Sequence, residues 1–196
     1  MNGSSQWEVM TRSFKAAVFL DRDGTLNVER HYLHKPDELE LIDGVIEGLQ
    51  LLQQANFQLF VVTNQSGIGR GYFAEEDMRL VHRKLEHILE SHGINLAHIY
   101  FAPEAPGEPS RGRKPSPQFL LDASRDYQIS LEHSYMVGDK QCDLDCGWAA
   151  GVAASVLVRT GYGADLERGE LAVRGSFHVA EDLLAAAHWI RQSETQ

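Results

Sequence analysis

An α/β doubly wound fold is expected of this chain: a mostly parallel sheet with helices on both faces and no large cap domain. Three observations predict it. Short apolar runs alternate with amphipathic stretches from residue 16 to residue 190. Those runs are apolar throughout rather than at every second position, as strands covered on both faces are. No internal repeat or low-complexity tract breaks the alternation.

Residues 16–20 form a compact apolar run that ends at Asp21, the first expected strand. Asp43 and Gly44 precede a helix carrying Val45, Leu49 and Leu52 on one face. Residues 57–62 are rich in aromatic and β-branched side chains and read as the second strand. Across residues 74–92, Met78, Val81, Leu85, Ile88 and Leu89 share a helix face, with Gly93 as its C-cap. Residues 99–101 are a short third strand. Five of the six prolines then fall between residues 103 and 117, a stiff loop that joins neither a sheet nor a long helix. A helix over 119–127, a strand over 135–137, a helix over 143–150 ended by Gly151, and a strand over 155–158 follow. Val179 closes a sixth strand before a last helix over 181–190.

At 196 residues the chain is long enough for one full core and short for two. Residues 15–192 are expected to form a single domain behind a flexible tail over 1–14. The formal net charge of -10 argues against a dedicated nucleic-acid or anionic-membrane binder, yet leaves room for a small anion in one positive pocket. The two cysteines, Cys142 and Cys146, are too few for a disulfide scaffold. No apolar run reaches membrane-span length, and the N-terminus lacks a signal-peptide core, so a cytoplasmic protein is expected.

Doubly wound folds bind ligands where strands end. The loop after the first strand reads Asp21-Arg22-Asp23-Gly24-Thr25, and the second strand leads into Thr63-Asn64-Gln65-Ser66-Gly67. The proline-rich loop brings Arg113-Lys114-Pro115, and the fourth strand ends in Gly138-Asp139-Lys140 with Asp143 beyond. Carboxylates gathered at one sheet edge repel one another and call for a cation. Hard oxygen ligands favour Mg²⁺. Thr63 and Lys114 add a hydroxyl and a positive charge suited to phosphoryl oxygens.

These segments, in this order, resemble the four motifs of the haloacid dehalogenase-like phosphatase superfamily: Asp21 to Thr25, Thr63, Lys114, and Gly138 with Asp139 and Asp143. The resemblance spans about residues 15 to 165. It implies that Asp21 attacks phosphorus to form an aspartyl-phosphate, that Asp23 serves as acid and then base, and that Thr63 and Lys114 neutralise the transferring group. It implies a Mg²⁺ site made by Asp21, Asp139 and the backbone carbonyl of Asp23. Asp143 either joins the metal or orients its neighbours.

Residues 28–44, 63–71 and 134–140 resemble the small-sugar branch, which holds the heptose 1,7-bisphosphate 7-phosphatases and, nearby, the histidinol-phosphate phosphatases. The resemblance implies a small phosphorylated sugar as substrate, first the 7-phosphate of D-glycero-D-manno-heptose 1,7-bisphosphate and second histidinol phosphate, for surface-polysaccharide precursor synthesis. Glu29, Tyr32, Asn64, Gln65, Ser66, Arg113 and Lys140 are the expected substrate contacts, with Arg70, His31 and His34 as loop candidates. Many relatives carry a Cys/His zinc loop before the Arg-Lys motif, whereas residues 102–114 here contain neither Cys nor His. No structural zinc is expected, and proline stiffness stands in for it. A monomer or weak homo-oligomer is expected. A phospho-accepting signalling module and a polynucleotide end phosphatase are the other classes. The first does not need the paired carboxylates of one strand end, and the second needs a basic face. His82, His87 and His92 are expected on a solvated face, and Cys142 and Cys146 as small hydrophobes. Phe101 and Trp148 suggest no chemistry.

Overall fold

The computed structural model describes residues 15–169 and 171–193; the tail expected over residues 1–14 lies outside them. Six strands form one sheet: β1 (Ala17–Leu20), β2 (Gln58–Asn64), β3 (Leu96–Ala102), β4 (Tyr135–Gly138), β5 (Ala154–Val158) and β6 (Phe177–Ala180). The helices are α1 (Val45–Gln54), α2 (Ser66–Gly69), α3 (Glu75–Ser91), α4 (Gln118–Tyr127), α5 (Gln141–Ala150), α6 (Gly163–Arg168) and α7 (Leu183–Ser193). The strand order is β3-β2-β1-β4-β5-β6, and each neighbouring pair is parallel.

The apolar runs explain this sheet directly. Along β1, Val18 and Leu20 enter one core, with Leu49 of α1, Leu85 of α3 and Ile190 of α7. Ala17 and Phe19 enter the other, with Leu120 of α4 and Cys146 of α5. Both faces of the strand are buried, so a polar residue on either would be stranded without water. The chain winds outward from β1 to β3 and then returns to place β4 beside β1. That reversal opens a crevice at the carboxyl ends of β1 and β4. Among the described residues no cap domain covers it: between β1 and α1 the only helical element is a 3₁₀ turn, Pro36–Glu38.

Several elements differ from expectation. β2 extends through Asn64, and β3 begins at Leu96 rather than at residue 99. Pairing of Thr63 with Phe101 and Asn64 with Ala102 extends both strands beyond their apolar runs. The short α2 and α6 were not foreseen, since four and six residues are too few to show a helical period. The expected helix over 143–150 begins at Gln141.

His82 corrects an expectation. His87 and His92 are exposed, but His82 is buried, its ring 6.1 Å from that of Phe101. Its position explains why: it lies four residues after Met78 and three before Leu85, on the apolar stripe of α3. Burial first, and then the Arg22 charge, push its pKa down to about 3 from 6.5. The unfolded chain therefore takes up a proton below pH ~6.5 that the folded chain refuses. Stability should fall with acidification across that window, by about 1.4 kcal/mol per pH unit from this group. Urea unfolding at pH 7 and pH 5 checks it: His82→Leu should lose about 2 kcal/mol less than the unsubstituted chain between the two.

Candidate active site

The site begins where β1 ends. The Asp21 N–H donates to the Val137 carbonyl at 2.9 Å, carrying the sheet bonding one residue past β1. This fixes the Asp21 carboxylate at the crevice. Facing it, the Lys114 ammonium lies 2.7 Å from Asp21 Oδ1 and 2.6 Å from Asp143 Oδ1, and donates to the Val62 carbonyl at 2.6 Å. All three side chains are buried. Burial opposes the lysine charge, but Asp143 and Asp21 outweigh it and hold the ammonium well above the ordinary lysine range. Asn64 brings this lysine in: its amide donates to the Lys114 carbonyl at 3.1 Å and accepts from the Lys114 N–H at 3.0 Å.

Asp139 completes the acidic edge. Oxygens of Asp21, Asp139 and Asp143 lie within 4.8 Å of one another. Asp143 is already occupied, with Oδ1 on Lys114 and Oδ2 accepting the Lys140 N–H at 2.9 Å, so it orients the lysine loop. Asp139 Oδ2 accepts the Tyr162 N–H at 2.9 Å, while Oδ1 has no hydrogen-bond partner among the described residues. The Lys140 ammonium is 3.4 Å from that oxygen, an ion-pair distance only. Burial first, then the Asp21 charge, push the Asp139 carboxyl up to about 7. A buried, under-partnered carboxylate beside a second one fits a hard divalent cation. Gly24 has φ +83, and a Cβ there would collide with Asp139 Oδ2, so the backbone closes tightly around this carboxylate.

Asp23 sits in a separate polar web. It accepts from Arg22 Nη2 at 2.8 Å, from Asn27 at 3.0 Å and from Gln65 at 2.9 Å. Its carboxylate is thus held by these donors and does not join the close oxygens of Asp21, Asp139 and Asp143; only its backbone carbonyl remains in the expected metal set. Burial alone would raise its pKa, but Arg22 and the hydrogen bonds from Asn27, Arg22 and Gln65 lower it below the ordinary value. Gln65 also donates to Thr63 Oγ1 at 2.8 Å, so one amide aligns the carboxyl and the hydroxyl. Sequence reasoning passed over Arg22, which is fully buried, and Asn27. The signal was present: a charged residue between two strand-end aspartates has little room outside the site.

One cavity of about 270 Å³ gathers the candidates except Asp139, which is fully buried. Asp21, Asp23, Thr63, Lys114, Asn64, Gln65, Ser66, Arg113, Lys140, Glu29 and Tyr32 all line it. Lys140 reaches Glu29 at 3.2 Å, and Tyr32 packs edge-on against Tyr72 at 4.7 Å. His31, Cys142 and Tyr162 line it as well, of which Tyr162 was not foreseen. Arg70 is exposed and His34 stacks on Phe73; neither is among the lining residues. The proline-rich loop is held by side chains as well as by proline: Ser110 donates to Glu104 at 2.7 Å and Arg113 donates to the Glu104 carbonyl at 3.0 Å.

Comparisons with known proteins show the family. A HAD-hydrolase-like family model matches residues 112–186. A D-glycero-beta-D-manno-heptose-1,7-bisphosphate 7-phosphatase of Yersinia pestis is 43% identical over 159 residues, 78% of this chain and 84% of the relative. The chain belongs to this family of HAD-like phosphatases. A second member, from Escherichia coli (strain K12), is 46% identical over 153 residues, covering 74% of this chain and 80% of its own. The crystal structure of a D,D-heptose 1,7-bisphosphate phosphatase from B. bronchiseptica, complexed with magnesium and phosphate, superposes with a TM-score of 0.83. It is 33% identical and covers 91% of this chain and 99% of that one. Like the other members of the heptose bisphosphate phosphatase family, this chain is a phosphatase.

Removing the Lys114 charge tests the clamp. Lys114→Met leaves Asp21 and Asp143 buried face to face without their cation, a change expected to cost about 3–5 kcal/mol. Chemical denaturation in metal-free buffer measures this loss, and phosphate release should fall with it.

Proposed function

We propose that this phosphatase hydrolyses the 7-phosphate of D-glycero-β-D-manno-heptose 1,7-bisphosphate through an aspartyl-phosphate on Asp21, with Mg²⁺ as cofactor. The observation that carries the reading is the single buried cluster in which Lys114 joins Asp21 to Asp143 at one end of the cavity whose lining includes Arg113 and Lys140. The names of the relatives at 43% and 46% identity supply the sugar.

In this reading an Asp21 oxygen forms a bond to phosphorus as the bond to the sugar oxygen breaks, and Asp23 gives that oxygen a proton. Water then attacks the same phosphorus, Asp23 takes its proton, and inorganic phosphate leaves with Asp21 restored. Asp23 is held ionised in the free protein, which suits the second half. The proton for the first half enters with the substrate. The Thr63 hydroxyl, with its oxygen accepting from Gln65, keeps its own proton to donate to a phosphoryl oxygen. Lys114 neutralises charge on the transferring group. Asp21, Asp139 and the Asp23 carbonyl would hold Mg²⁺, which when bound supplies positive charge for the phosphoryl oxygens and the acidic edge. Glu29, Tyr32, Ser66, Arg113 and Lys140 contact the sugar and its second phosphate, while Asn64 and Gln65 serve by holding Lys114, Asp23 and Thr63. The same reading takes the protein to be cytoplasmic, active on a small substrate and without structural zinc. No helix among the described residues is long and apolar enough to cross a membrane.

Steady-state phosphate release on a panel tests the reading. The heptose bisphosphate should exceed phenyl phosphate, histidinol phosphate and a 3′-phosphorylated oligonucleotide in kcat/KM. Chelation should abolish turnover and Mg²⁺ restore it. Asp21→Asn should lower kcat by about a thousandfold or more. Equal turnover of phenyl phosphate and the heptose bisphosphate would remove the sugar assignment.

A further inference from the structure

A phosphatase without a cap must shape the mouth of its site with loops alone. Three loops meet here at one side chain. Tyr162 follows β5 and opens α6. Its backbone N–H donates to Asp139 Oδ2 at 2.9 Å, anchoring it to the acidic edge. Its ring lies 4.9 Å from the Lys140 ammonium, within reach of a cation–π attraction, from the loop after β4. Its hydroxyl meets His31 Nδ1 at 3.1 Å, bringing in the loop after β1 from 131 residues away.

That last loop needs such a tie. His31 and Tyr32 have φ of 51 and 42, left-handed conformations that cost a non-glycine residue about 1 kcal/mol or more each. The local bond from the His31 N–H to Glu29 Oε1, at 2.7 Å, shapes the loop but does not set its distance from the opposite rim. The Lys140–Glu29 ion pair and the Tyr162–His31 hydrogen bond do that. Tyr162 takes part in one and steadies the lysine of the other. It is 38% exposed, so its hydroxyl is not a core requirement.

We propose that Tyr162 is a positioning residue for substrate specificity. It clasps the His31 loop to Lys140 across the cavity mouth and so sets the opening to the size of a sugar carrying a second phosphate. The proposal rests on the sugar-phosphate reading above. It assigns Tyr162 no contact with the reacting phosphorus. The clasp acts on the part of the substrate that lies outside the phosphate pocket.

Tyr162→Phe keeps the ring, the backbone bond to Asp139 and the contact with Lys140, and deletes only the hydroxyl. With the heptose bisphosphate, KM should rise about three- to tenfold, the range of one lost hydrogen bond, with the change in KM rather than in kcat. With phenyl phosphate, which does not span the rim, the effect should be at least threefold smaller. His31→Ala should give a similar shift, and the double variant should be no worse than either single one, because both remove one bond. Tyr162→Leu, which also removes the ring from beside Lys140, should raise KM further. Hydrogen exchange on the free protein gives a reading without any substrate: amides of residues 30–34 should exchange faster in Tyr162→Phe and in His31→Ala. An unchanged KM for the bisphosphate, equal effects on both substrates, additive effects in the double variant, or unaltered exchange would each overturn the clasp. An unsubstituted enzyme that ignores the heptose bisphosphate would defeat the functional reading instead, and the exchange experiment would still decide the clasp.

Discussion

A lysine ammonium buried between two aspartates governs this active site. Taking an ion out of water costs several kcal/mol, and Lys114, Asp21 and Asp143 are all inside the fold. None is tolerable there without the others. The pairing at 2.6–2.7 Å, completed by the Val62 carbonyl, uses the three donors of the lysine. The cost of desolvation thereby becomes a geometric constraint. Asp21 is held at a fixed place beyond β1, the loop carrying Lys114 is drawn to the end of β2, and Asp143 is turned toward the lysine. Asn64 reinforces this by bonding both backbone groups of Lys114.

The remaining acidic side chains divide according to their partners. Asp23 is surrounded by donors, and its carboxyl is lowered. Asp139 lacks donors on one oxygen, and its carboxyl is raised to about 7. Two carboxyls near one crevice are thus pushed in opposite directions by their surroundings. Gln65 links the first to Thr63 by donating to both. At the rim, the contacts among Glu29, Lys140, Tyr162 and His31 take up the work of enclosure that a cap domain would do.

Much of this could be read before any coordinates. The fully apolar runs announced a sheet buried on both faces, and the two cores that divide Val18 from Phe19 are its physical counterpart. Asp21, Asp23, Thr63, Lys114 and Asp143 line one cavity, and a buried Asp139 brings an oxygen close to those of Asp21 and Asp143. Other features were less legible. Thr63 and Asn64 lie inside β2, because pairing with β3 carries a strand past its apolar segment. His82 is buried rather than solvated, because its spacing from Met78 and Leu85 puts it on the apolar stripe of α3. Arg22 stands in the Asp21–Thr25 motif, but the fold alone shows that it is buried and that Asp23 receives its charge.

By itself the sequence determined the parallel α/β architecture and which short motifs stand at the strand ends, since apolar periodicity and the order of short motifs are local properties of a chain. Only the tertiary structure decided how each carboxylate is used. The oxygens of Asp143 face Lys114 and the Lys140 N–H, those of Asp23 face Arg22, Asn27 and Gln65, and one oxygen of Asp139 meets no donor. It also decided that Tyr162 and His31 meet across 131 residues. Burial, ionisation and hydrogen bonding depend on which distant segments share a crevice, and no spacing along the chain encodes that distance.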